Sequence, residues 1–302
     1  AQGRYADAEP LFRRSLAIYE RTLGGEHPKV ATALNNLALT SQAQGRYADA
    51  EQRSRRSLEI LERAFGTDHP DVAASLNNLA ELYRAQGRHS DAEPLYRRTL
   101  AIYERTLGGE HPKVATVLNN LALTSQAQGR YGNAELLYRR SVAIGVRSLG
   151  DKHRDVATRL HNLAVMYRAQ GRTAEALKAI RQSTSILAHR LGETAINEGK
   201  GRVSEQHHFA KIFELNIALL AEESARQPQV ADSLAAEAFE LAQYARASDT
   251  AAQVARMAAR HAAGSDALAQ RVRARQDVAA QLTAHEANLL KEIGRASCRE
   301  RG

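Results

Sequence analysis

Hydrophobic positions along the chain recur with helical spacing, in a pattern that returns every 42 residues. The string Ala-Gln-Gly-Arg begins at Ala1, Ala43, Ala85, Ala127 and Ala169, which gives four full units and the start of a fifth. The unit that begins at Ala85 differs from the unit at Ala1 at only five positions, whereas the unit at Ala43 is more distant. The array therefore has the pattern of a duplicated pair, and such repetition predicts stacked supersecondary units.

Each unit is predicted to hold two helices. The first helix runs from about Pro28 to Gln44, and its apolar face has the spacing i, i+4, i+7, i+8 and i+11. That face consists of Val30, Leu34, Leu37, Ala38 and Ser41, with Tyr83 at the last position in the second unit. Proline suits the first turn of a helix. Gly45 follows the last periodic residue, as a left-handed C-terminal cap requires.

The second helix runs from about Asp49 to Phe65, or from Asp7 to Leu23 in the first unit. Its buried face is predicted to hold Ala8, Leu11, Phe12, Ser15, Tyr19 and Leu23. Neither helix can bury its apolar face alone, so neighbouring units must stack. One position departs from the pattern, because Ser54 stands where the other units have Phe12, Tyr96, Tyr138 and Ile180.

The repeat pattern fades after Leu191. Residues 192–203 are polar and contain glycine, which predicts a loop. Four further helices are predicted, at about Ser204–Arg226, Val230–Ala247, Thr250–Ala262 and Asp266–Glu292, and the first two have the spacing of a degenerate repeat. Residues 293–302 differ in composition from the residues before them and are interpreted as a translated sequencing adapter. They are therefore excluded from the predicted fold.

The composition is that of a helical protein without disulfides. The chain has 302 residues, no tryptophan, and a single cysteine, Cys298, which lies inside the excluded terminal string. A disulfide framework or a cysteine-based catalytic or zinc site is therefore not expected in residues 1–292. No apolar run reaches the length of a membrane span. The chain begins inside a repeat without an initiator methionine, so we expect a fragment, with the cytoplasm as its default location.

The net charge of +8 is unevenly distributed. Residues 127–168 hold eight basic and three acidic residues, and the terminal string adds more arginine. A nucleic-acid binder usually has a broad basic stripe, so this function is the least favoured. Paired arginines recur on the second helices, and we expect them to form salt bridges with nearby glutamates. The pairs are Arg13-Arg14, Arg55-Arg56, Arg97-Arg98 and Arg139-Arg140.

Two other site types fit the sequence poorly. The glycines of residues 192–201 have the wrong spacing for a phosphate-binding loop, and Gly201 stands where serine or threonine would meet magnesium. His207 and His208 with Glu205 lack the further ligands that zinc requires. The repeated His27, His69, His111 and His153 lie one unit apart and are expected to be turn or cap residues. We therefore expect no metal, no cofactor and no catalysis.

The pattern of small and large residues, including Leu34, Leu37, Ala38, Ala50 and Ser57, resembles that of tetratricopeptide repeats. The 42-residue spacing and the text HPKVATALNNLALTSQAQGRYADAE, residues 27–51, resemble the kinesin-light-chain class of that family. The resemblance covers about residues 1–191. It implies an all-α fold, a right-handed superhelix (α-solenoid) of helix-turn-helix repeats followed by a C-terminal helical segment, and a peptide- or protein-binding role.

An asparagine pair recurs on every first helix, with histidine replacing its first member in the fourth unit. Asparagine competes for backbone hydrogen bonds inside helices, so four copies of the second member need a reason. The resemblance implies that this position lines a concave groove where the amide contacts a peptide backbone. Alternatively, the amides bond one another in an interhelical ladder. The predicted groove residues are Asn35, Asn36, Leu39, Asn77, Asn78, Glu81, Arg84, Asn119, Asn120, Leu123, Asn162 and Arg168.

The neighbours of the constant asparagine alternate between units. Leu39 and Leu123 favour apolar ligand residues, whereas Arg84 and Arg168 favour acidic ones. We therefore expect a protein partner that offers an extended peptide of mixed acidic and apolar residues.

Residues 238–277 resemble the helical region upstream of bacterial CHAT domains, which are caspase-like peptidases. None of the peptidase's His and Cys motifs is present. The first hypothesis is a non-catalytic binding scaffold or sensor in a larger bacterial protein. The alternative is a regulatory arm of a protease whose catalytic domain lies elsewhere.

Overall fold

The computed structural model describes residues 2–197 and 201–244, and the side chains of residues 7–190 and 209–242. The chain divides into two compact units, residues 1–172 and 173–302, which are described separately. The described residues hold helices and no strand, which confirms the all-α prediction.

The first unit contains eight helices that alternate between the two predicted types. The second helices, including the helix that begins the chain, are α1 (Gln2–Leu23), α3 (Tyr47–Phe65), α5 (His89–Leu107) and α7 (Tyr131–Leu149). The first helices are α2 (Pro28–Ala43), α4 (Pro70–Ala85), α6 (Pro112–Ala127) and α8 (Arg154–Ala169). The second helices begin earlier than the sequence predicts, since α3 starts at Tyr47 and α1 at Gln2.

The first helices have equal length because the same capping residues define their ends. Each is 16 residues long. At the start of α2, the His27 imidazole Nδ1 accepts a hydrogen bond from the backbone N–H of Lys29 at 3.1 Å. His69, His111 and His153 cap the other three helices in the same way, which confirms their predicted cap role.

The C-terminal cap is also as predicted. Gly45 has a φ of +76°, a conformation that disfavours residues with a Cβ. The backbone N–H of Arg46 donates to the carbonyl of Ser41 at 2.8 Å, and that of Gly45 to the carbonyl of Gln42 at 3.0 Å. This pair of bonds is the Schellman motif. Gly87, Gly129 and Gly171 repeat it, so equivalent residues on the four first helices have the same rotational phase.

The core lies between the two rows of helices. The predicted apolar face of the first helix, from Val30 to Ser41, is fully buried, as is Tyr83. A hydroxyl on each of three second helices donates to the carbonyl of an alanine on the first helix of its pair. These bonds are Ser57 to Ala31 at 2.8 Å, Thr99 to Ala73 at 3.3 Å and Ser141 to Ala115 at 2.6 Å.

The predicted buried face of α1 is wrong at two positions. Leu11 is 66% exposed and Leu23 is also exposed. Among the described residues, α2 is the helix that packs closely against α1, and it covers the face that holds Leu16 and Tyr19, which leaves Leu11 exposed. Leu23 is the last residue of α1, and the equivalent Phe65 at the end of α3 is exposed as well. An apolar pattern shows that a face can be buried, but a neighbouring helix has to cover it.

The second unit contains α9 (Thr173–Asn197), α10 (Gly201–Arg226), a 3-10 turn at Pro228–Val230 and α11 (Ala231–Tyr244). Helix α10 is buried on nearly every side between Phe209 and Leu220. Its buried Asn216 donates from Nδ2 to the Thr184 hydroxyl of α9 at 2.9 Å. Arg181 of α9 forms a two-bond ion pair with Glu237 of α11.

The predicted loop at 192–203 is wrong where the structure describes it. Helix α9 continues to Asn197 and α10 begins at Gly201. Residues 193–197 contain no proline, and a single glycine in a helix costs only about 1 kcal/mol. The predicted helices at 250–262 and 266–292 and the terminal string 293–302 lie outside the described residues. Most of the segment that resembles the region upstream of CHAT domains does so too.

Candidate peptide-binding groove

The four first helices of the first unit form one side of its stack. Cα atoms of successive first helices come within 8 Å of one another at several places, and the second helices do not approach each other as closely. The first helices therefore line the narrower side of this unit. We call the surface formed by α2, α4, α6 and α8 the inner row.

The predicted groove residues lie on the inner row beside the buried apolar face. Leu39 is 42% exposed, Arg168 is exposed, and Asn120 is buried, with 8% of its surface exposed. The others are half-buried: Asn35, Asn36, Asn77, Asn78, Glu81, Arg84, Asn119, Leu123 and Asn162. This placement fits a partly open polar surface whose centre is occupied by amides.

An amide ladder occupies the inner row between α4 and α8. Asn162 Nδ2 donates to Asn119 Oδ1 of the preceding repeat at 3.0 Å. Asn120 Nδ2 donates to Asn77 Oδ1 at 3.4 Å and to Glu81 Oε1 at 3.0 Å. The alternative prediction for the asparagines, an interhelical ladder of amides, is therefore observed at these two interfaces. The amides of Asn120 and Asn162 hold repeats together.

The ladder is interrupted between α2 and α4. Among the described residues, neither Asn36 nor Asn78 makes a side-chain hydrogen bond, and Asn35 Oδ1 is buried without a partner. Leu39, the exposed leucine of the row, is four residues from Asn35 on the same helix. This part of the inner row thus offers amide donors and acceptors next to an exposed apolar side chain.

A cationic position lies in the last turn of α4. Arg84 forms no ion pair among the described residues, and its Nε is buried without a hydrogen-bond partner. It lies near Tyr96 and Tyr138, whose pKa values are raised mainly by burial, so both phenols stay neutral. Tyr138 donates its hydroxyl to Gln126, the residue of α6 that corresponds to Arg84, at 2.9 Å.

The fourth repeat departs from the others at two buried or half-buried positions of α8. His161 replaces the first asparagine of the pair, and burial lowers its pKa, so the imidazole is neutral near pH 7. Arg159 occupies a position that is small or apolar in the other repeats and is only 5% exposed. Its Nε donates to the Ser141 hydroxyl at 3.1 Å and one Nη to the Thr116 hydroxyl at 3.2 Å.

Gly145 provides the space for Arg159. A Cβ at Gly145 would lie 3.3 Å from Cγ2 of Val156 and 3.6 Å from a terminal nitrogen of Arg159. The equivalent residue is Tyr103 in the third repeat, where Val117 takes the place of Arg159. The sequence signal was a glycine inside a helix together with an arginine at an apolar position of the same repeat.

Seven of the eight paired arginines of the second helices form salt bridges with glutamates, as predicted, and no salt bridge of Arg14 is seen among the described residues. Arg13, Arg55, Arg97 and Arg139 each bind the glutamate four residues earlier. Arg56, Arg98 and Arg140 bind glutamates on the preceding second helix. These charges are neutralised locally, so they do not form the continuous basic surface that nucleic acid requires.

The arginine of the Ala-Gln-Gly-Arg string has a role that its recurrence alone did not reveal. Arg46 binds Glu9 of the preceding second helix at 2.6 Å, and Arg88, Arg130 and Arg172 repeat the contact. Hydrogen bonds from Arg46 and then Arg13 lower the pKa of Glu9 from 4.5 to about 2. The motif therefore joins consecutive repeats through charge.

Two related clefts open between second helices. One, of about 360 Å³, lies between α1 and α3 above Leu34 and Leu37, and the other, of about 280 Å³, lies between α5 and α7 above Leu121. Arg56 and Glu20 on the first rim neutralise one another. Both clefts are lined by apolar and charged side chains in similar measure.

The other candidate sites of the sequence are not assembled. No group of three or more His, Cys, Asp or Glu residues that could hold a metal ion occurs among the described residues. The side chains of His207 and His208 lie outside them. The described portion of residues 192–201 is helical, unlike a phosphate-binding loop. Within the described helices, none is both long and apolar enough to cross a membrane.

Comparison with known proteins identifies the repeats. The tetratricopeptide repeat family model matches residues 1–63, 30–105, 84–145 and 113–189. No curated protein sequence gives a significant match.

Solved structures show the same architecture. A Podosopora anserina protein described as a kinesin light chain with nearly identical TPR-like repeats is 30% identical; the match covers 62% of this chain and 89% of that one, with a TM-score of 0.55. BtubC (BKLC) from P. vanneervenii is 21% identical over 84% of this chain and 91% of that one, with a TM-score of 0.59, which shows a shared fold. Proteins built of such repeats are typically scaffolds for protein–protein interaction. This chain belongs to the tetratricopeptide repeat family, and its repeats are similar to those of kinesin light chain.

Proposed function

We propose that the chain is a non-catalytic scaffold whose inner row binds an extended peptide segment of a partner protein. The observation that carries the proposal is the gap in the amide ladder between α2 and α4. Asn78 makes no side-chain hydrogen bond to the preceding repeat and Asn35 Oδ1 is buried without a partner, whereas Asn120 and Asn162 are bonded to the preceding repeat. An amide offers both a donor and an acceptor, which matches a peptide backbone.

The neighbouring side chains define the preferred peptide. Leu39 offers exposed apolar surface, so an apolar ligand residue is favoured beside the two amides. Arg84 is a cation without an ion-pair partner among the described residues, so it favours an acidic ligand residue further along α4. Both features agree with an extended peptide of mixed acidic and apolar residues.

The proposal is tested with an array of 12-residue peptides in which aspartate or glutamate alternates with leucine, and the strongest binder is then measured by calorimetry. We expect Asn36→Ala/Asn78→Ala to weaken binding at least tenfold without loss of helix content. The matched variant Asn120→Ala/Asn162→Ala removes ladder bonds, so it should lower stability and leave the affinity of the folded protein within about threefold.

Two results would contradict the proposal. One is an unchanged affinity in Asn36→Ala/Asn78→Ala. The other is a failure of every array peptide to bind the wild-type chain. An additional variant, Arg84→Gln, should remove the preference for acidic over neutral peptides while neutral peptides bind as before.

A further inference from the structure

A tyrosine side chain is held in the same way in the second and fourth repeats. The Tyr83 hydroxyl donates to Glu51 Oε1 at 3.0 Å and accepts a hydrogen bond from Arg55 Nη2 at 2.9 Å. The Arg88 guanidinium lies over the Tyr83 ring, 4.1 Å from the ring centroid. The equivalent residues of the next such site are Tyr167, Glu135, Arg139 and Arg172. One glutamate and two arginines therefore form a set that binds a phenol.

The third repeat keeps this glutamate and both arginines but has no tyrosine between them. Ser125 of α6 stands at the position of Tyr83. Arg97 binds Glu93 with an N–O distance of 2.8 Å, and Arg130 binds the same carboxylate. The side chain of Arg97 is 60% exposed, so part of its guanidinium faces solvent. The charged groups that hold a phenol in the neighbouring repeats are thus assembled here without one.

The cleft of about 280 Å³ between α5 and α7 lies beside this set. Arg97 lines the cleft from α5. Asn133 lines it from α7 and donates from Nδ2 to the Ser125 hydroxyl at 3.0 Å. The apolar lining residues are Leu100, Ala101, Leu121 and Leu137. An apolar cavity of about 150 Å³ is large enough to hold benzene, so this cleft has room for a phenol ring.

The related cleft between α1 and α3 has more polar walls. Gln52 and Arg53 of α3 line that cleft, whereas Leu136 and Leu137 stand at these two positions in α7. Arg53 also donates to the hydroxyl of Ser41, so a cation lies beside the serine there. Leu136 is 70% exposed, although it belongs to a helix whose other apolar face is buried. The cleft between α5 and α7 is therefore the one that offers apolar surface to a ring.

We propose that the cleft between α5 and α7 binds a tyrosine side chain of a partner protein. The ring packs against Leu100 and Leu137. Its hydroxyl accepts a hydrogen bond from Arg97 and donates one to Glu93, as the Tyr83 hydroxyl does with the equivalent residues. The site lies between second helices, so it is separate from the inner row and does not rest on peptide binding there.

The charges around the cleft distinguish tyrosine from related side chains. A phenylalanine ring fits the apolar walls but offers no hydroxyl to Arg97 and Glu93. A phosphotyrosine brings about two negative charges toward Glu93 and Glu104. The nearest cations are already paired, because Arg97 binds Glu93 and Arg140 binds Glu104 at 2.6 Å. The cleft therefore favours unmodified tyrosine over both.

The test uses p-cresol, which is the side chain of tyrosine, and the full chain labelled with ¹³C at its leucine methyl groups. NMR shifts of Leu100, Leu121 and Leu137 report binding. Toluene and p-cresyl phosphate represent phenylalanine and phosphotyrosine as comparison probes.

Three protein variants separate the ring contact from the hydroxyl contact. Arg97→Gln removes the proposed donor to the hydroxyl, and Leu137→Arg introduces the residue that α3 has at this position. The matched control is Arg13→Gln. Residues 7–23 and 91–107 differ at only two positions, so this control makes the same change in nearly the same helix but outside the cleft.

We expect saturable shifts of the three leucines at millimolar p-cresol, with toluene and p-cresyl phosphate at least fivefold weaker. Arg97→Gln should lower the p-cresol affinity to that of toluene, and Leu137→Arg should weaken it at least tenfold. Arg13→Gln should leave it unchanged.

Four results would overturn the proposal. They are an absence of saturation by p-cresol, equal affinities for toluene and p-cresol, tighter binding of p-cresyl phosphate, and a dimer of the chain that p-cresol dissociates. The last result would assign the cleft to a second copy. The comparison of the three probes uses the wild-type chain, so it does not depend on the folding of any variant.

Discussion

The clearest test of the packing uses one substitution at two equivalent positions, Ile102→Ala and Ile18→Ala. Both residues lie in nearly the same helical sequence, but Ile102 is 2% exposed and Ile18 is 40% exposed. The change removes three carbons, worth about 0.8 kcal/mol each when fully buried, and a closed cavity adds to that cost. We expect a loss of about 3–4 kcal/mol at Ile102, and about 1 kcal/mol at Ile18, where the vacated space is open to solvent.

Hydrogen exchange measured by mass spectrometry gives the local free energy of opening for each helix. A loss of about 3 kcal/mol lowers the protection of α4 and α5 by roughly a hundredfold, since each 1.4 kcal/mol is a factor of ten. In Ile18→Ala the change should be limited to α1 and α2 and stay below about tenfold. Equal losses at the two positions would refute the assigned burial, because side-chain chemistry and local sequence are the same.

Three further predictions concern the core, the charge ladder and the fourth repeat. Leu79→Ala, at a core position of α4, should cost about 2–5 kcal/mol in urea unfolding, and a loss below about 0.5 kcal/mol would contradict the helix phase. Glu9 has a lowered pKa, so its stabilisation is complete above about pH 4.5 and is lost as the pH falls toward 2. The stability difference between the wild type and Arg46→Gln should therefore shrink between pH 6 and pH 2, and a constant difference would contradict the role of this ion pair. Gly145→Tyr and Arg159→Val should each destabilise, the first by about 1–3 kcal/mol through overpacking. Together the two substitutions restore the residue pair of the third repeat. The free energy of unfolding lost in the double variant should therefore be smaller than the sum of the two single losses by about 1 kcal/mol or more. Additive losses would refute the coupling of the two residues.

The first helices and their ends could be predicted from the sequence because their causes are local. His27 and Gly45 cap a first helix through bonds to residues within five positions, and the apolar spacing between them fixes the buried face. Burial on α1 could not be predicted in the same way. Leu11 has the pattern of a buried residue, but its exposure depends on which helix lies beside it.

The role of the recurring asparagines could be predicted less completely, because a side-chain amide is able either to bind a peptide or to bond to a neighbouring helix. The recurrence of Asn36, Asn78, Asn120 and Asn162 at one helical position places them on equivalent turns of α2, α4, α6 and α8. Whether an amide bonds to the preceding repeat is decided by side-chain geometry between two particular helices, which a repeated sequence does not specify. The ladder forms at Asn120 and Asn162, and it is absent at Asn78 although the sequence around that residue is of the same type.

The fourth repeat shows a sequence signal that only the structure explains. Arg159 at an apolar position predicts a buried charge, which is costly unless its donors find acceptors. The hydroxyls of Ser141 and Thr116 supply two of them, and Gly145 supplies the space. Arg159 and Gly145 both depart from the repeat pattern in the same unit, and the small residue compensates for the volume of the large one.

The central claim is that the inner row, at its α2–α4 section, is the surface that recognises peptide. NMR chemical shifts of the side-chain amides of the ¹⁵N-labelled chain, followed during titration with the strongest array peptide, show directly which asparagines contact the peptide. We expect saturable shifts of the Asn36 and Asn78 side-chain amides and little change at Asn133, which lies on the second helix α7 and donates from Nδ2 to the Ser125 hydroxyl at 3.0 Å. Shifts at Asn133 with unchanged Asn36 and Asn78 resonances would contradict it.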